Sequence, residues 1–189
     1  MGDERLGLKF RLFCALQLPD ETVDALAGWQ ARHLSAGRTG VGRIVPREHL
    51  HVTLAFLGSR PAGEVPAIVQ ELGAASAAAA LVRLRTGHYR ETRSVGMVVL
   101  DDVDGAATAI AADLGERLER LGVYRREQRP WLAHVTVLRF RERPRLAPPP
   151  PGLGEFHAVR SALYRSALGP AGARYDVLES LPLGGVGGR

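Results

Sequence analysis

A single cysteine, Cys14, stands in this chain of 189 residues, so no internal disulfide framework can brace it. It lies in the apolar run Leu12–Leu18, where a thiol reads as a small buried hydrophobe and not as a nucleophile. No apolar stretch approaches the ~20 residues that span a membrane. The charged start Asp3-Glu4-Arg5 also lacks the ~7–15 apolar residues of a secretory h-region. These absences lead to the expectation of a cytoplasmic protein with no membrane partner. Lysine is nearly missing, since Lys9 is the only one among 25 basic residues. Arginine in its place, with abundant alanine, glycine and proline, is the composition of a GC-rich genome. Net charge carries more meaning: +5, with a sequence pI of about 10.1, favours a polyanionic partner. A serine-nucleophile hydrolase is a poor reading, because no Gly-x-Ser-x-Gly elbow occurs and Ser59 and Ser166 have no adjacent base.

The length suits one compact domain or two small lobes sharing a core. Phe10–Leu18 reads as a strand, and Pro19-Asp20-Glu21 starts a helix reaching Leu34. Gly37–Gly42 breaks it, Arg43–Val45 is a short strand, and His49–Leu57 is a longer one stopped by Gly58. A helix over Glu64–Ala80 follows. Leu81–Tyr89 and Val95–Leu100 are strands, and Asp104–Leu121 is a helix that Gly122 ends. Ala133–Phe140 is a strand. Pro144 and Pro148–Pro151 mark an irregular surface loop. Phe156–Ser166 and Arg174–Pro182 close the chain, leaving 184–189 as a flexible tail.

One pattern occurs twice: His-Val-Thr-Leu at His51–Leu54 and His-Val-Thr-Val at His134–Val137. Strict alternation makes each a half-buried strand. With a side-chain period of two, His51 and Thr53 share one face while Val52 and Leu54 share the other, and His134 and Thr136 repeat this. Two imidazoles supply an acid and a base near neutral pH. The two hydroxyls can donate to an anion where charge develops.

The residues resemble the 2H phosphoesterase family, in particular its bacterial and archaeal RNA 2′,3′-cyclic phosphodiesterases, also described as 2′-5′ RNA ligases. The marks are Arg11-Leu12-Phe13 with Ala15-Leu16, Leu50–Gly58 around the first motif, and Arg129-Pro130-Trp131. His134–Arg139 follows, then Leu163-Tyr164-Arg165-Ser166, with Gly169-Pro170, Gly172-Ala173 and Tyr175 behind it. The resemblance runs from about Phe10 to Leu183. It implies an α+β fold of two pseudo-symmetric lobes, each an antiparallel sheet with helices on its outer face, around a central cleft, so that 1–183 is one bilobal domain. It implies opening of a terminal RNA 2′,3′-cyclic phosphate to a 2′-phosphomonoester, with no metal and no cofactor, by a monomer. By the same resemblance His51 is the proton donor and His134 the proton acceptor, and Phe56 and Arg139 contact substrate. The two motifs are too alike for sequence to separate the histidines' roles.

Phe56 and Arg139 each stand five residues beyond a motif histidine, an odd number that turns them away from it on an ideal strand. Their family role therefore calls for a bulge or a strand end. Trp131 reads as core before base platform. Arg125, Arg126, Arg129, Arg141, Arg143 and Arg145 bracket the second motif and could guide an RNA backbone or be a solvated face. Ala133 replaces a proline common in relatives. His49 shares the face of His51 on a regular strand. His33, His88 and His157 are surface or structural. Competing readings are a zinc site from His49, His51 and His134, a 2′-5′ RNA ligase or a phosphodiesterase of small cyclic nucleotides on the same site, and a non-catalytic RNA-end-binding protein.

Overall fold

The computed structural model describes residues 7–34, 42–169 and 172–184. Apart from Gly42 and Gly184, the expected break after the first helix and the expected tail lie outside the described residues.

Alternation governs the first strand. In β1 (Lys9–Gln17) the side chains of Leu12, Cys14 and Leu16 enter the main core, while Phe13 and Ala15 point to a second cluster on the opposite face. Pro19 presets the backbone for α1 (Asp20–His33), whose first turn places Asp20 and Glu21 at the positive end of the helix dipole. The short β2 (Gly42–Ile44) and a single 3-10 turn at Arg47–His49 lead into β3 (Val52–Pro61). Then come α2 (Val65–Ala78), β4 (Val82–Glu91), β5 (Val95–Asp102) and α3 (Ala106–Arg120). Asp102 caps α3 by accepting from the backbone N–H groups of Ala107 and Thr108. The chain finishes with β6 (His134–Phe140), β7 (Glu155–Ala158), β8 (Arg160–Gly169) and β9 (Gly172–Pro182).

All strand pairs are antiparallel in one sheet of order β7-β4-β5-β6-β3-β1-β8-β9, with β2 added to β6. The α+β class is therefore as expected, with the strands forming one curled sheet. Its two parts meet at β3 and β6 through one register pair, Val52 opposite Val135. Leu26 and Trp29 of α1, Ile68 and Leu72 of α2, and Ile110 and Leu114 of α3 pack on one face of the sheet. Each fully buried leucine contributes roughly 1.5–3 kcal/mol. The buried Gln30 amide fastens α1 by donating to the carbonyls of Val45 (3.0 Å) and Val137 (2.7 Å). The sheet's other face, carrying Phe13, Ala15, Ala162 and Tyr164, stays open for a site.

Three local expectations change. Gly58 does not end β3. Its left-handed φ of 68° is absorbed where Leu57 bulges between the pairs Phe13–Phe56 and Leu12–Gly58, and pairing continues to Pro61. The expected strand Phe156–Ser166 is two strands, because at Val159 the chain leaves β4 and crosses to β1. His49 lies in the 3-10 turn before β3, so it does not share a strand face with His51.

Candidate active site

The pair Val52–Val135 puts both motif strands side by side and antiparallel. Their valines turn into the core, fully buried, so His51 and Thr53 emerge beside His134 and Thr136 on the open face. Each histidine is oriented in the same way. The Nδ1–H of His51 donates to the His49 carbonyl at 2.7 Å, and that of His134 donates to the Leu132 carbonyl at 2.8 Å. A carbonyl can only accept, so both neutral rings carry their lone pair on Nε2. His51 Nε2 lies 3.1 Å from the Thr53 hydroxyl.

The surroundings of the two rings differ. Phe13 stacks on His51 with centroids 4.9 Å apart, Tyr164 lies beyond it at 5.8 Å, and Tyr175 meets it edge-on at 5.7 Å. Burial among these rings pushes the His51 pKa down from 6.5 to about 4. The hydrogen bond to the His49 carbonyl opposes the shift, while His49, Arg139 and His134 reinforce it as neighbouring positive charges. His49 is also lowered, chiefly by burial, with Glu48 opposing and Arg43 and Arg139 adding to the shift. Its ring packs on Tyr175 at 4.2 Å.

Phe56 and Arg139 reach the site through matched bulges. Along β3, Thr53 pairs with Ala15 and Ala55 with Cys14, leaving Leu54 as the extra residue. Along β6, Thr136 pairs with Met97 and Leu138 with Gly96, leaving Val137 as the extra residue. Each bulge falls three residues after its histidine and reverses the alternation. Position five, odd on an ideal strand, thereby returns to the face of the histidine.

A pocket of about 380 Å³ gathers His51, Thr53, Phe56, Thr136 and Arg139, with His49, Arg11, Arg43, Phe13 and Tyr175 also in its wall. His134 stands beside this pocket, outside its lining. No carboxylate lines it among the described residues, so the wall suits an anion. Among the described residues no three His, Cys, Asp or Glu side chains are grouped to hold a metal ion, and the triad His49, His51, His134 does not assemble.

Other candidates fall elsewhere. Trp131 packs on the core, as expected, and also donates its Nε1–H to the Thr53 carbonyl at 3.0 Å, tying the approach to β6 onto β3. Of the arginines around the second motif, Arg126 pairs with Glu116 and Glu119, Arg129 with Glu127, and Arg143 with the buried Glu91. Sequence reasoning gave Arg11, Phe13 and Tyr175 no role in the site. The alternation Arg11-x-Phe13-x-Ala15, opposite Leu12-x-Cys14-x-Leu16, is the signal that could have placed the first two.

An antiparallel α+β fold carrying paired His-Val-Thr strands defines a 2H phosphoesterase. The chain belongs to the LigT-like phosphoesterases: residues 16–100 match the family described as LigT like Phosphoesterase. It is 34% identical to the RNA 2′,3′-cyclic phosphodiesterase of Thermus thermophilus, over 95% of this chain and 93% of that one. It is 30% identical to the protein of the same name from Escherichia coli, over 89% and 94%. Among solved structures, Escherichia coli LigT complexed with 3′-AMP superposes with a TM-score of 0.78 at 28% identity, covering 93% of this chain and 99% of that one. TT0787 of Thermus thermophilus does so at 0.79 and 30%, covering 92% and 97%.

Proposed function

We propose that this protein hydrolyses RNA 2′,3′-cyclic phosphate ends to 2′-phosphomonoesters; its relatives are named RNA 2′,3′-cyclic phosphodiesterases. The observation that carries the reading is the convergence of His51, Thr53, Thr136 and Arg139 on one pocket that no carboxylate lines among the described residues, with His134 adjoining. The two parts of the sheet act as two lobes, each supplying one histidine and one threonine.

His134 Nε2 is the base: it takes a proton from water as the water oxygen attacks phosphorus. The P–O3′ bond breaks, the ribose oxygen leaves with the bonding pair, and His51 Nε2 gives it a proton. The products are a 2′-phosphomonoester and a free 3′-hydroxyl. Thr53, Thr136 and Arg139 hold the non-bridging oxygens, where charge gathers, and Phe56 carries the terminal base. A donor must be charged, yet burial leaves His51 neutral near pH 7 in the free site. The anionic phosphate supplies the missing counter-charge, so His51 takes up its proton as substrate binds.

Acid and base both come from one chain, so a cytoplasmic monomer suffices and the chemistry calls for no metal. No helix among the described residues is long and apolar enough to cross a membrane. The test is incubation with a short RNA ending in a 2′,3′-cyclic phosphate, in EDTA, with the product identified by mass and phosphatase sensitivity. A 2′-phosphate product is expected. Absence of product from folded, RNA-binding protein would replace this reading with a binding role or a small cyclic nucleotide substrate.

A further inference from the structure

Arg11 has no part in the chemistry above, yet it lines the same pocket. It lies on β1 two residues before Phe13, whose ring stacks on His51. On a strand those two residues share a face about 7 Å apart. Arg11 therefore stands one pleat period farther from the reacting group than Phe13 does. The other arginines of the wall, Arg43 and Arg139, are register partners on β2 and β6, across the β3–β6 junction from β1. One phosphate held between His51 and Thr136 has Arg139 on its own strand, which leaves Arg11 facing a different part of any ligand.

Two features suit Arg11 to a second anion. Its guanidinium lies 5.0 Å above the Phe56 ring, which restrains the side chain without neutralising it. Among the described residues it makes no ion pair, whereas Arg83, Arg85, Arg117 and Arg165 are matched to carboxylates. Its register partner Ser166 also lines the pocket and adds a hydroxyl donor.

We infer that Arg11, with Ser166, forms a second phosphate subsite that takes the internucleotide phosphodiester preceding the terminal cyclic phosphate. This rests on the phosphodiesterase reading and deepens it: the preferred substrate is an oligonucleotide end with at least two phosphates, not a cyclic mononucleotide. A bidentate guanidinium contact suits a phosphodiester, which ammonium matches only as a point charge.

The experiment compares kcat/KM on cytidine 2′,3′-cyclic phosphate, on a cytidine dinucleotide ending in a 2′,3′-cyclic phosphate, and on that dinucleotide with a neutral methylphosphonate linkage. The wild type should favour the charged dinucleotide over the mononucleotide by roughly tenfold. The methylphosphonate should lose that advantage. Arg11→Ala should remove most of the preference and Arg11→Lys only part of it. The inference is overturned if the methylphosphonate keeps the advantage, which would credit the second base, or if Arg11→Ala leaves the ratio unchanged. Equal turnover of mononucleotide and dinucleotide by the wild type removes the subsite and leaves the phosphodiesterase reading standing. No turnover of any of the three removes both.

Discussion

Val52 stands directly opposite Val135, and this one pair joins the two parts of the sheet and sets the two motifs together. Both valines are fully buried, so a one-residue slip on either strand would turn a histidine and a threonine into the core. The register of the proposed catalytic groups is thus fixed by burial on the opposite face of the sheet.

That register is reinforced by Trp131, whose indole N–H reaches the Thr53 carbonyl. Trp131→Phe keeps the packing and removes the donor. It should cost about 1 kcal/mol in denaturant unfolding and lower kcat more than it raises KM, because the hydrogen bond holds Thr53 beside both histidines. Unchanged kcat in a folded variant would show that β3 needs no such tie.

The buried state of His51 has a consequence for acid stability. Its pKa falls from 6.5 to about 4 on folding, so between these values the unfolded chain binds more protons than the folded one. Stability is then present in full above pH 6.5 and drains away as pH falls towards 4. His51→Asn should flatten unfolding free energy against pH in that window. Addition of inorganic phosphate should move the His51 titration upward, seen as an earlier change, at higher pH, in its ring nitrogen shifts on acidification. A His51 that titrates near 6.5 with and without phosphate would contradict both the burial argument and the proposed proton uptake.

Arginines already matched to carboxylates should contribute little to RNA affinity. Arg126→Ala and Arg129→Ala should change the dissociation constant of a short RNA by less than about threefold, with the salt slope preserved. A slope lower by about one charge in either variant would assign it a phosphate contact.

Glu91 is the anchor of the proline-rich loop. Its buried carboxylate accepts from the Arg143 side chain and from the backbone N–H groups of Arg145 and Leu146, at 3.1, 3.0 and 2.8 Å. Glu91→Ala strands these donors and should destabilise the protein by about 3 kcal/mol. Thermal unfolding checks this, and a loss under about 1 kcal/mol would mean the loop holds without it.

What the sequence disclosed follows from how local each signal is. Alternation placed β1, β3 and β6, and Pro19 and Gly122 marked where α1 starts and α3 ends. The face shared by His51 and Thr53 needed only a period of two. Phe56 and Arg139 were harder, since five is an odd spacing. The bulges at Leu54 and Val137 that correct it arise from pairing with β1 and β5, which no local pattern encodes. The depressed pKa of His51 depends on Phe13, Tyr164 and Tyr175, brought from β1, β8 and β9, so two nearly identical motifs acquire different surroundings only on folding. Gly58 misled because a left-handed glycine resembles a stop and a bulge equally well.

The most direct test of the account is single-turnover cleavage of an RNA 2′,3′-cyclic phosphate end by His51→Ala and His134→Ala, with folding verified by thermal unfolding. Each variant should be slower by ~10²–10⁴, the usual worth of one acid or base, while Thr53→Ala and Thr136→Ala should lose less. Wild-type rates in either histidine variant would contradict the two-histidine mechanism.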